Sequence, residues 1–223
     1  MTSHTVASFK EYLETSGGGG GLVLDIDETL AATNVAWFER CIQLFGNPDN
    51  LPVPQLIDKY HLAQNNPAWQ TKAAKEWMQR QRDDPAAQDG LPQIPGAVEG
   101  VRVLYRERPE IFVGYLTVRP ERVNANTLRW LQENGFPPLP LVAKPDDVPF
   151  ETGNQWKAQA LKTLYPHVTG IVDDNPKVPT YAGRDYQGKI FLYGRGNVEQ
   201  PYEWAIPCET WPIVVNQVKN MCF

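Results

Sequence analysis

The sequence predicts an α/β fold in which a parallel sheet is covered by helices on its faces and interrupted once by a helical insertion. Two observations carry this prediction. Short apolar runs that end in carboxylates, such as residues 22–24 and 171–172, are typical of buried parallel strands. From Gly96 onward, similar runs alternate with helical patterns, as expected for a parallel sheet between helices.

The predicted elements follow in order along the chain. Residues 1–14 are predicted to form a short helix, and the first strand ends at Leu24. Later strands are predicted at residues 111–116, 139–143, 171–172 and 189–193. Apolar residues at helical spacing predict helices near residues 101–105, 123–134 and 156–164, and a final helix runs from Pro212 to Asn220.

Residues 31–95 differ in character and are predicted to form a helical cap. Apolar residues recur there at helical spacing, and prolines divide the segment into several short helices. The predicted organisation is therefore a core of residues 1–30 and 96–223 with a cap of residues 31–95. Aromatic residues in such a segment are more typical of packing than of ligand contact. The pattern does not decide whether Trp69, Trp77 or Arg80 faces a substrate.

Composition restricts the location and the partners. The chain has 223 residues and a net charge of −5, so a nucleic-acid partner, which needs a basic face, is not expected. No apolar run is long enough to span a membrane, and residues 1–14 lack the pattern of a signal peptide. The 3 cysteines show neither zinc nor disulfide spacing, so we predict a cytoplasmic protein with reduced thiols. The oligomeric state is not predicted.

Carboxylates follow two of the predicted strands. Asp25 and Asp27 come after the first strand, and Asp173 and Asp174 come after residues 171–172. Parallel sheets bind ligands at the carboxyl ends of their strands, which would gather all four side chains. Such a cluster is unfavourable unless a cation binds or some groups are protonated. Oxygen ligands favour a hard cation, and we predict Mg²⁺.

The spacing of Asp25 and Asp27 allows a division of labour between two carboxyl groups. One carboxylate can attack an electrophilic phosphorus, and the other can transfer a proton. Asp-x-Asp alone is weak evidence, since acids on a protein surface are common. Its position after an apolar strand and before Thr29 makes the catalytic interpretation stronger.

Thr117 and Arg119 follow the predicted strand at residues 111–116. The Thr117 hydroxyl can donate a hydrogen bond to a phosphate oxygen, although a turn or helix cap is the more common role for such a residue. Arg119 either contacts phosphate or substrate or pairs with a structural carboxylate. The sequence leaves both alternatives open.

Lys157 lies near the start of a predicted helix. If Asn154 caps that helix, Lys157 is its third residue, where a cation opposes the helix dipole at a cost of roughly several tenths of a kcal/mol. Helix stability therefore does not explain the lysine, whereas a charge role toward the aspartates does. An ordinary surface lysine is the alternative. Lys144, after residues 139–143, is the rival candidate for the same charge role.

Taken in chain order, four elements resemble the four motifs of the haloacid dehalogenase-like superfamily of phosphohydrolases. They are Asp25-Ile26-Asp27-Glu28-Thr29, then Thr117, Lys157 and the pair Asp173-Asp174. The resemblance covers residues 21–30 and 96–194. It implies a Rossmann-like three-layer core with a parallel sheet and a helical cap inserted after the first strand. The forms of the first and second motifs look closest to acid-phosphatase-like members.

The resemblance also implies roles for these residues. Asp25 is expected to be the nucleophile and a metal ligand, and Asp27 the general acid and base, with its backbone carbonyl on Mg²⁺. Thr117 is expected to hold the phosphoryl group with Lys157, which offsets its charge, and Arg119 is a substrate-binding candidate. The two aspartates after the later strand would complete the metal site, without a decision as to which binds directly.

The function that this resemblance implies is Mg²⁺-dependent hydrolysis of a small phosphorylated metabolite through an aspartyl-phosphate intermediate. Asp27 argues against the dehalogenase branch, which lacks a second aspartate at that place. Two alternatives remain from the sequence: transfer of the phosphoryl group to an alcohol, and a non-catalytic binding protein that retains the fold.

Overall fold

The computed structural model describes residues 1–17, 20–194 and 204–222. In this part of the chain, the strands are β1 (Ser3–His4), β2 (Gly21–Leu24), β3 (Phe112–Pro120), β4 (Leu141–Lys144), β5 (Val168–Asp173), β6 (Lys189–Tyr193) and β7 (Ala205–Cys208). The helices are α1 (Val6–Thr15), α2 (Thr33–Phe45), α3 (Val53–Tyr60), α4 (Lys72–Asp83), α5 (Ala97–Glu107), α6 (Asn124–Glu133), α7 (Gly153–Leu164), α8 (Lys177–Ala182) and α9 (Trp211–Cys222).

The strands form one sheet of order β1-β4-β3-β2-β5-β6-β7, and every pair is parallel. β2 lies in the middle, with β3 and β4 to one side and β5 to the other. A parallel sheet buried on both faces explains why β2 and β4 are apolar runs rather than alternating patterns. In such a sheet, ligands bind at the carboxyl ends of the strands, which here is the edge where β2 ends.

Helices cover both faces of the sheet. Apolar residues of α5, α6 and α9 pack on one face in a cluster that includes Trp130 and Trp211. Those of α1, α7 and α8 pack on the other face in a cluster that includes Phe9 and Leu161. The predicted Rossmann-like three-layer α/β core is thus confirmed.

The segment between β2 and α5 contains α2, α3 and α4 and several turns of 3₁₀ helix, and no strand longer than an isolated bridge is found within it. Its buried apolar residues between Phe38 and Met78 form a hydrophobic cluster distinct from the two clusters on the sheet, whereas Leu91 packs in the first of those two. Where the segment leaves and rejoins the core, Ala32 donates a backbone hydrogen bond to Pro92 and Ile94 donates one to Leu30. The helical content agrees with the predicted insertion, and the boundaries at residues 31 and 95 stay a prediction.

Several details differ from the predictions, among them β4, which ends at Lys144 rather than before it. β1 and β7, at the two edges of the sheet, were not predicted. α1 begins at Val6, after β1, and is capped by the Thr5 hydroxyl, which accepts from the Ser8 backbone N–H. β3 continues to Pro120, so Thr117 and Arg119 lie within the strand rather than after it.

Candidate functional site

The register of β2 and β5 brings the carboxylates of Asp25 and Asp173 together. Leu24 of β2 pairs with Val172 of β5, and the backbone N–H of Asp25 donates to the Val172 carbonyl at 3.0 Å. Asp25 and Asp173 therefore stand at matching positions on neighbouring strands. Both side chains are buried, and Asp174 beside them is partly buried.

Lys157 supplies the counter-charge between these carboxylates. Its Nζ lies 2.8 Å from Asp25 Oδ1 and 2.7 Å from Asp173 Oδ2, and its side chain is 1% exposed. Burial favours the neutral lysine, but the charges of the two aspartates outweigh that effect and raise the pKa of Lys157 above its ordinary value. The ammonium group is therefore firmly held in its charged form.

The reasoning that pointed to Lys157 was partly wrong. α7 begins at Gly153 after a 3₁₀ turn, so Asn154 lies inside the helix and does not cap it. Lys157 is the fifth residue of the helix rather than the third, and the helix dipole opposes it less than expected. The rival Lys144 donates instead to the carbonyls of Pro145 and Val148 in its own loop.

The carboxyl groups of this cluster ionise with difficulty. Burial raises the pKa of Asp25 to about 7, with Asp173 adding to the rise and Lys157 opposing it. Burial and the charges of Asp173 and Asp25 likewise raise the pKa of Asp174 well above its ordinary value. If all three were ionised, these carboxylates would carry more negative charge than Lys157 neutralises, which is the condition that a bound cation relieves.

Oxygen atoms of the same three aspartates are close enough to share one metal ion. One carboxylate oxygen from each of Asp25, Asp173 and Asp174 lies within 4.8 Å of the others. Asp25 Oδ1 is buried and, apart from its ion contact with Lys157, accepts no hydrogen bond of good geometry from the described residues. The donor set consists only of carboxylate oxygens, as hard divalent cations prefer.

Asp27 belongs to a second ionic group on the same edge. Arg119 reaches from β3 with a two-pronged contact, Nη2 to Oδ1 at 2.7 Å and Nε to Oδ2 at 3.0 Å. The Thr33 hydroxyl of α2 donates to Asp27 Oδ1 at 2.5 Å. Burial would raise the pKa of Asp27, but the charge and hydrogen bonds of Arg119 and the Thr33 hydroxyl outweigh it and lower that pKa.

Thr117 is fully buried in β3, and its Oγ1 accepts a hydrogen bond from the Arg119 backbone N–H at 3.2 Å. The acceptor side of the hydroxyl is thereby used, which leaves its proton available for another group. The predicted site residues thus fall into two sets. Lys157 joins Asp25 and Asp173, and Arg119 connects Asp27 with Thr117.

Glu28 is a feature of the site that the sequence reasoning missed. Its backbone has φ 56°, a left-handed conformation that is unusual for a residue other than glycine or asparagine. Burial raises the pKa of its carboxyl to about 7, although the Asn34 backbone N–H donates to it at 2.6 Å. Its place in the Asp-x-Asp-Glu-Thr run is a signal that could have singled it out.

A cleft of about 440 Å³ separates α4 of the insertion from the segments that follow β3 and β4. Its charged lining is mixed, with basic and acidic side chains from both walls: Lys75, Arg82, Asp83, Arg122, Lys144, Asp146 and Glu151. Trp69 and Trp77 pack in the hydrophobic cluster of the insertion, as expected for structural aromatics. Arg80 lies instead on a surface depression formed by α4 and Asp84.

No protein-family profile and no curated protein sequence matches this chain. Among solved structures, it is similar to the Mycobacterium tuberculosis Protein Tyrosine Kinase A, with a TM-score of 0.53 and 14% identity over 90% of this chain and 98% of that one. It also matches a chain assigned as a haloacid dehalogenase-like hydrolase from Burkholderia xenovorans LB400, with a TM-score of 0.49 and 14% identity over 92% and 99%. At this identity, the first similarity is one of fold alone.

Proposed function

We propose that this protein is a haloacid dehalogenase-like phosphomonoesterase that uses Mg²⁺ and forms an aspartyl phosphate on Asp25. The observation that carries the proposal is the buried contact of Lys157 with both Asp25 and Asp173, at the sheet edge where Asp174 adds a third carboxylate. A buried, incompletely neutralised carboxylate cluster costs free energy, so a functional role accounts for it better than a structural one.

The residues present fit a divalent cation. Asp25 and Asp174 are its proposed direct ligands, because Asp174 accepts no hydrogen bond from the described residues. Asp173 is already engaged, since Lys157 donates to one of its oxygens and the Asn175 backbone N–H to the other at 2.8 Å. Bound there, Mg²⁺ would neutralise negative charge on the carboxylates and on a phosphoryl group.

Asp25 is the nucleophile in the proposed reaction. One of its oxygens forms a bond to phosphorus while the bond from phosphorus to the leaving oxygen breaks, and the leaving oxygen takes a proton from the Asp27 carboxyl group. Water then attacks the aspartyl phosphate with Asp27 as base, which restores Asp25 and releases phosphate. Lys157 and the Thr117 hydroxyl stabilise charge on the transferred group.

The acid role requires a proton on Asp27, which Arg119 holds as a carboxylate in the free protein. Negative charge on a bound phosphate ester favours protonation of a neighbouring carboxyl group, and a monoanionic ester can itself deliver the proton. Substrate binding is therefore part of what prepares Asp27 for the first step.

We propose a small phosphorylated metabolite as the substrate, with its leaving group in the cleft beside α4. Val118 and Pro120, which flank Arg119 in β3, line that cleft. Its mixed charges do not resemble the basic track that a nucleic-acid backbone needs. A cytoplasmic location remains part of the proposal, supported by the free thiols of Cys41 and Cys208. No helix in the described part of the chain is both long and apolar enough to cross a bilayer.

Phosphate release from a panel of phosphomonoesters tests the proposal, with Mg²⁺ added and with a chelator in its place. We expect release that requires Mg²⁺ and returns when the ion is restored. Adding small alcohols separates hydrolysis from transfer, since a transferase would form a new ester at the expense of free phosphate. Absence of both products with every ester would contradict the proposal and favour a binding protein.

A further inference from the structure

The guanidinium group of Arg119 is enclosed, and each of its nitrogens has a partner. Its side chain is 4% exposed, and all three of its nitrogens have partners. Two of them form the fork to Asp27, and Nη1 donates to the Thr127 hydroxyl of α6 at 3.3 Å. Thr127 is itself fully buried, so the guanidinium is anchored from behind by the core.

The fork fixes the orientation of Asp27 as well as its position. Two parallel N–H donors in one plane hold both carboxylate oxygens, whereas a single donor would leave the carboxyl group free to rotate. The Thr33 hydroxyl adds a third contact from the first turn of α2. Asp27 is partly exposed at 27%, so its position is not set by burial alone.

We propose that Arg119 is a positioning residue for Asp27: it holds the Asp27 carboxyl group in the orientation for proton transfer to the leaving oxygen and does not bind the phosphoryl group. This inference rests on the proposed function. It decides between the two roles that the sequence left open, because the engaged fork and the Thr127 anchor leave Arg119 committed to a carboxylate. Arg119 thereby acts on the leaving group only through Asp27.

Two esters with different leaving groups separate these roles. Dinitrophenolate departs without a proton, whereas the ethoxide of ethyl phosphate needs one as the bond breaks. The ratio kcat/KM reports the steps up to formation of the aspartyl phosphate and excludes its later hydrolysis. A residue that acts through the proton donor therefore changes kcat/KM for ethyl phosphate, and much less for dinitrophenyl phosphate.

Arg119→Lys is the principal variant, since it retains the charge beside Asp27 and loses the fork. We expect kcat/KM for ethyl phosphate to fall about 10²-fold, as when a catalytic group is displaced by about 1 Å. The value for dinitrophenyl phosphate should change far less. The kcat for dinitrophenyl phosphate should fall, because Asp27 is also the base in hydrolysis of the aspartyl phosphate. The backbone hydrogen bond from residue 119 to Thr117 remains in the variant.

Two further variants complete the experiment. In the Asp27→Asn background, Arg119→Lys should not further change kcat/KM for ethyl phosphate relative to kcat/KM for dinitrophenyl phosphate, since both substitutions act on one group. Arg129→Gln removes another arginine–carboxylate contact, the exposed pair with Asp89 at 2.7 Å, and should leave the ratio unchanged. Thermal unfolding of each variant shows whether a loss of activity is a loss of fold.

The outcomes are distinct. Equal losses of kcat/KM on both esters at an unchanged melting temperature would show that Arg119 binds the phosphoryl group. Equal losses that accompany a lower melting temperature would show a structural role only. Either result overturns the inference while leaving the proposed function intact, provided that the wild-type protein cleaves dinitrophenyl phosphate. Failure of the wild-type protein on both esters would remove the proposed function and the inference together.

Discussion

The carboxyl edge of the sheet and the helical insertion each contain a cluster of buried side chains, but different forces hold the two clusters together. At the edge, Lys157 and Arg119 balance carboxylates that burial destabilises. In the insertion, aromatic rings pack on one another, with the Phe38 and Trp69 centroids 5.4 Å apart. Burial of charged groups therefore lowers stability at the edge, whereas packing of aromatic rings stabilises the insertion.

Removal of the proposed nucleophile, Asp25, should have the largest effect on the edge. We predict that Asp25→Asn lowers phosphate release on the order of 10⁶-fold, as loss of a nucleophile does in other covalent catalysts. The Lys157–Asp173 pair remains in the variant, so its fold should be intact. Circular dichroism and phosphate release measured on the same preparation check this prediction, and activity close to that of the wild type would contradict the assignment of Asp25.

The same variant should be at least as stable as the wild type in the presence of a chelator. The pKa of Asp25 is about 7 in the folded protein and 3.8 ordinarily, so the folded state holds a proton that the unfolded chain loses between these values. Ionised Asp25 therefore lowers stability as pH rises through that window. The advantage of Asn should grow from about pH 4 to pH 7 in thermal melts, and an advantage that shrinks over this range would be the opposite result.

Removal of the counter-charge should destabilise the edge strongly. Lys157→Met leaves Asp25 and Asp173 buried without a cation, which costs about 3–5 kcal/mol for buried pairs. Lys162→Met is the matched control on the same helix, because Lys162 forms an ion pair with the exposed Asp185 at 3.3 Å, and its loss should matter by about 0–1 kcal/mol. Urea unfolding compares the two variants. Equal losses of unfolding free energy would mean that the buried ion pair stabilises the fold no more than the exposed one.

Removal of an aromatic side chain tests the insertion in the same way. Trp69 is fully buried, and its indole N–H donates to the Gly46 carbonyl at 3.0 Å. Trp69→Ala should cost the insertion about 3–5 kcal/mol. Hydrogen exchange should rise in residues 31–95 and stay slow in β2 and β5 if the predicted boundaries of core and cap are right. Equal acceleration in both parts would mean that they unfold as one unit.

An exposed ion pair between the core and the insertion should contribute least. Arg122 of the core lies 3.4 Å from Asp83 of α4 and 3.0 Å from Asp146, and all three side chains are more than 40% exposed. Arg122→Gln should change the free energy of unfolding by about 0–1 kcal/mol, and less at high salt. A loss of several kcal/mol in urea unfolding would show that this surface pair holds the insertion on the core.

Much of the core was predictable because its strands bury both faces. The apolar runs that end at Asp25 and Asp173 mark strands by composition alone, and their parallel pairing follows from the helices between them. The edge strands gave no such signal. β1 has only Ser3 and His4, and β7 contains Pro207, which is unusual inside a strand.

The contacts of the site were predictable only in part. Acidic residues at strand ends must converge when the strands are neighbours, which explains the success with Asp25 and Asp173. The partner of Asp27 lies 92 residues away on β3, and no local pattern links the two. The start of α7 was misplaced because the 3₁₀ turn at Phe150–Thr152 leads into the helix without a capping side chain.

Chemical trapping of the intermediate decides whether Asp25 is the nucleophile. The protein is mixed with a substrate and Mg²⁺, quenched during turnover and reduced with borohydride, which converts an aspartyl phosphate into homoserine. Our account predicts homoserine at position 25 in the peptide that contains residues 21–30, and none in the Asp25→Asn variant. Active protein that yields no homoserine, or yields it at Asp27 or Asp173, would contradict the account.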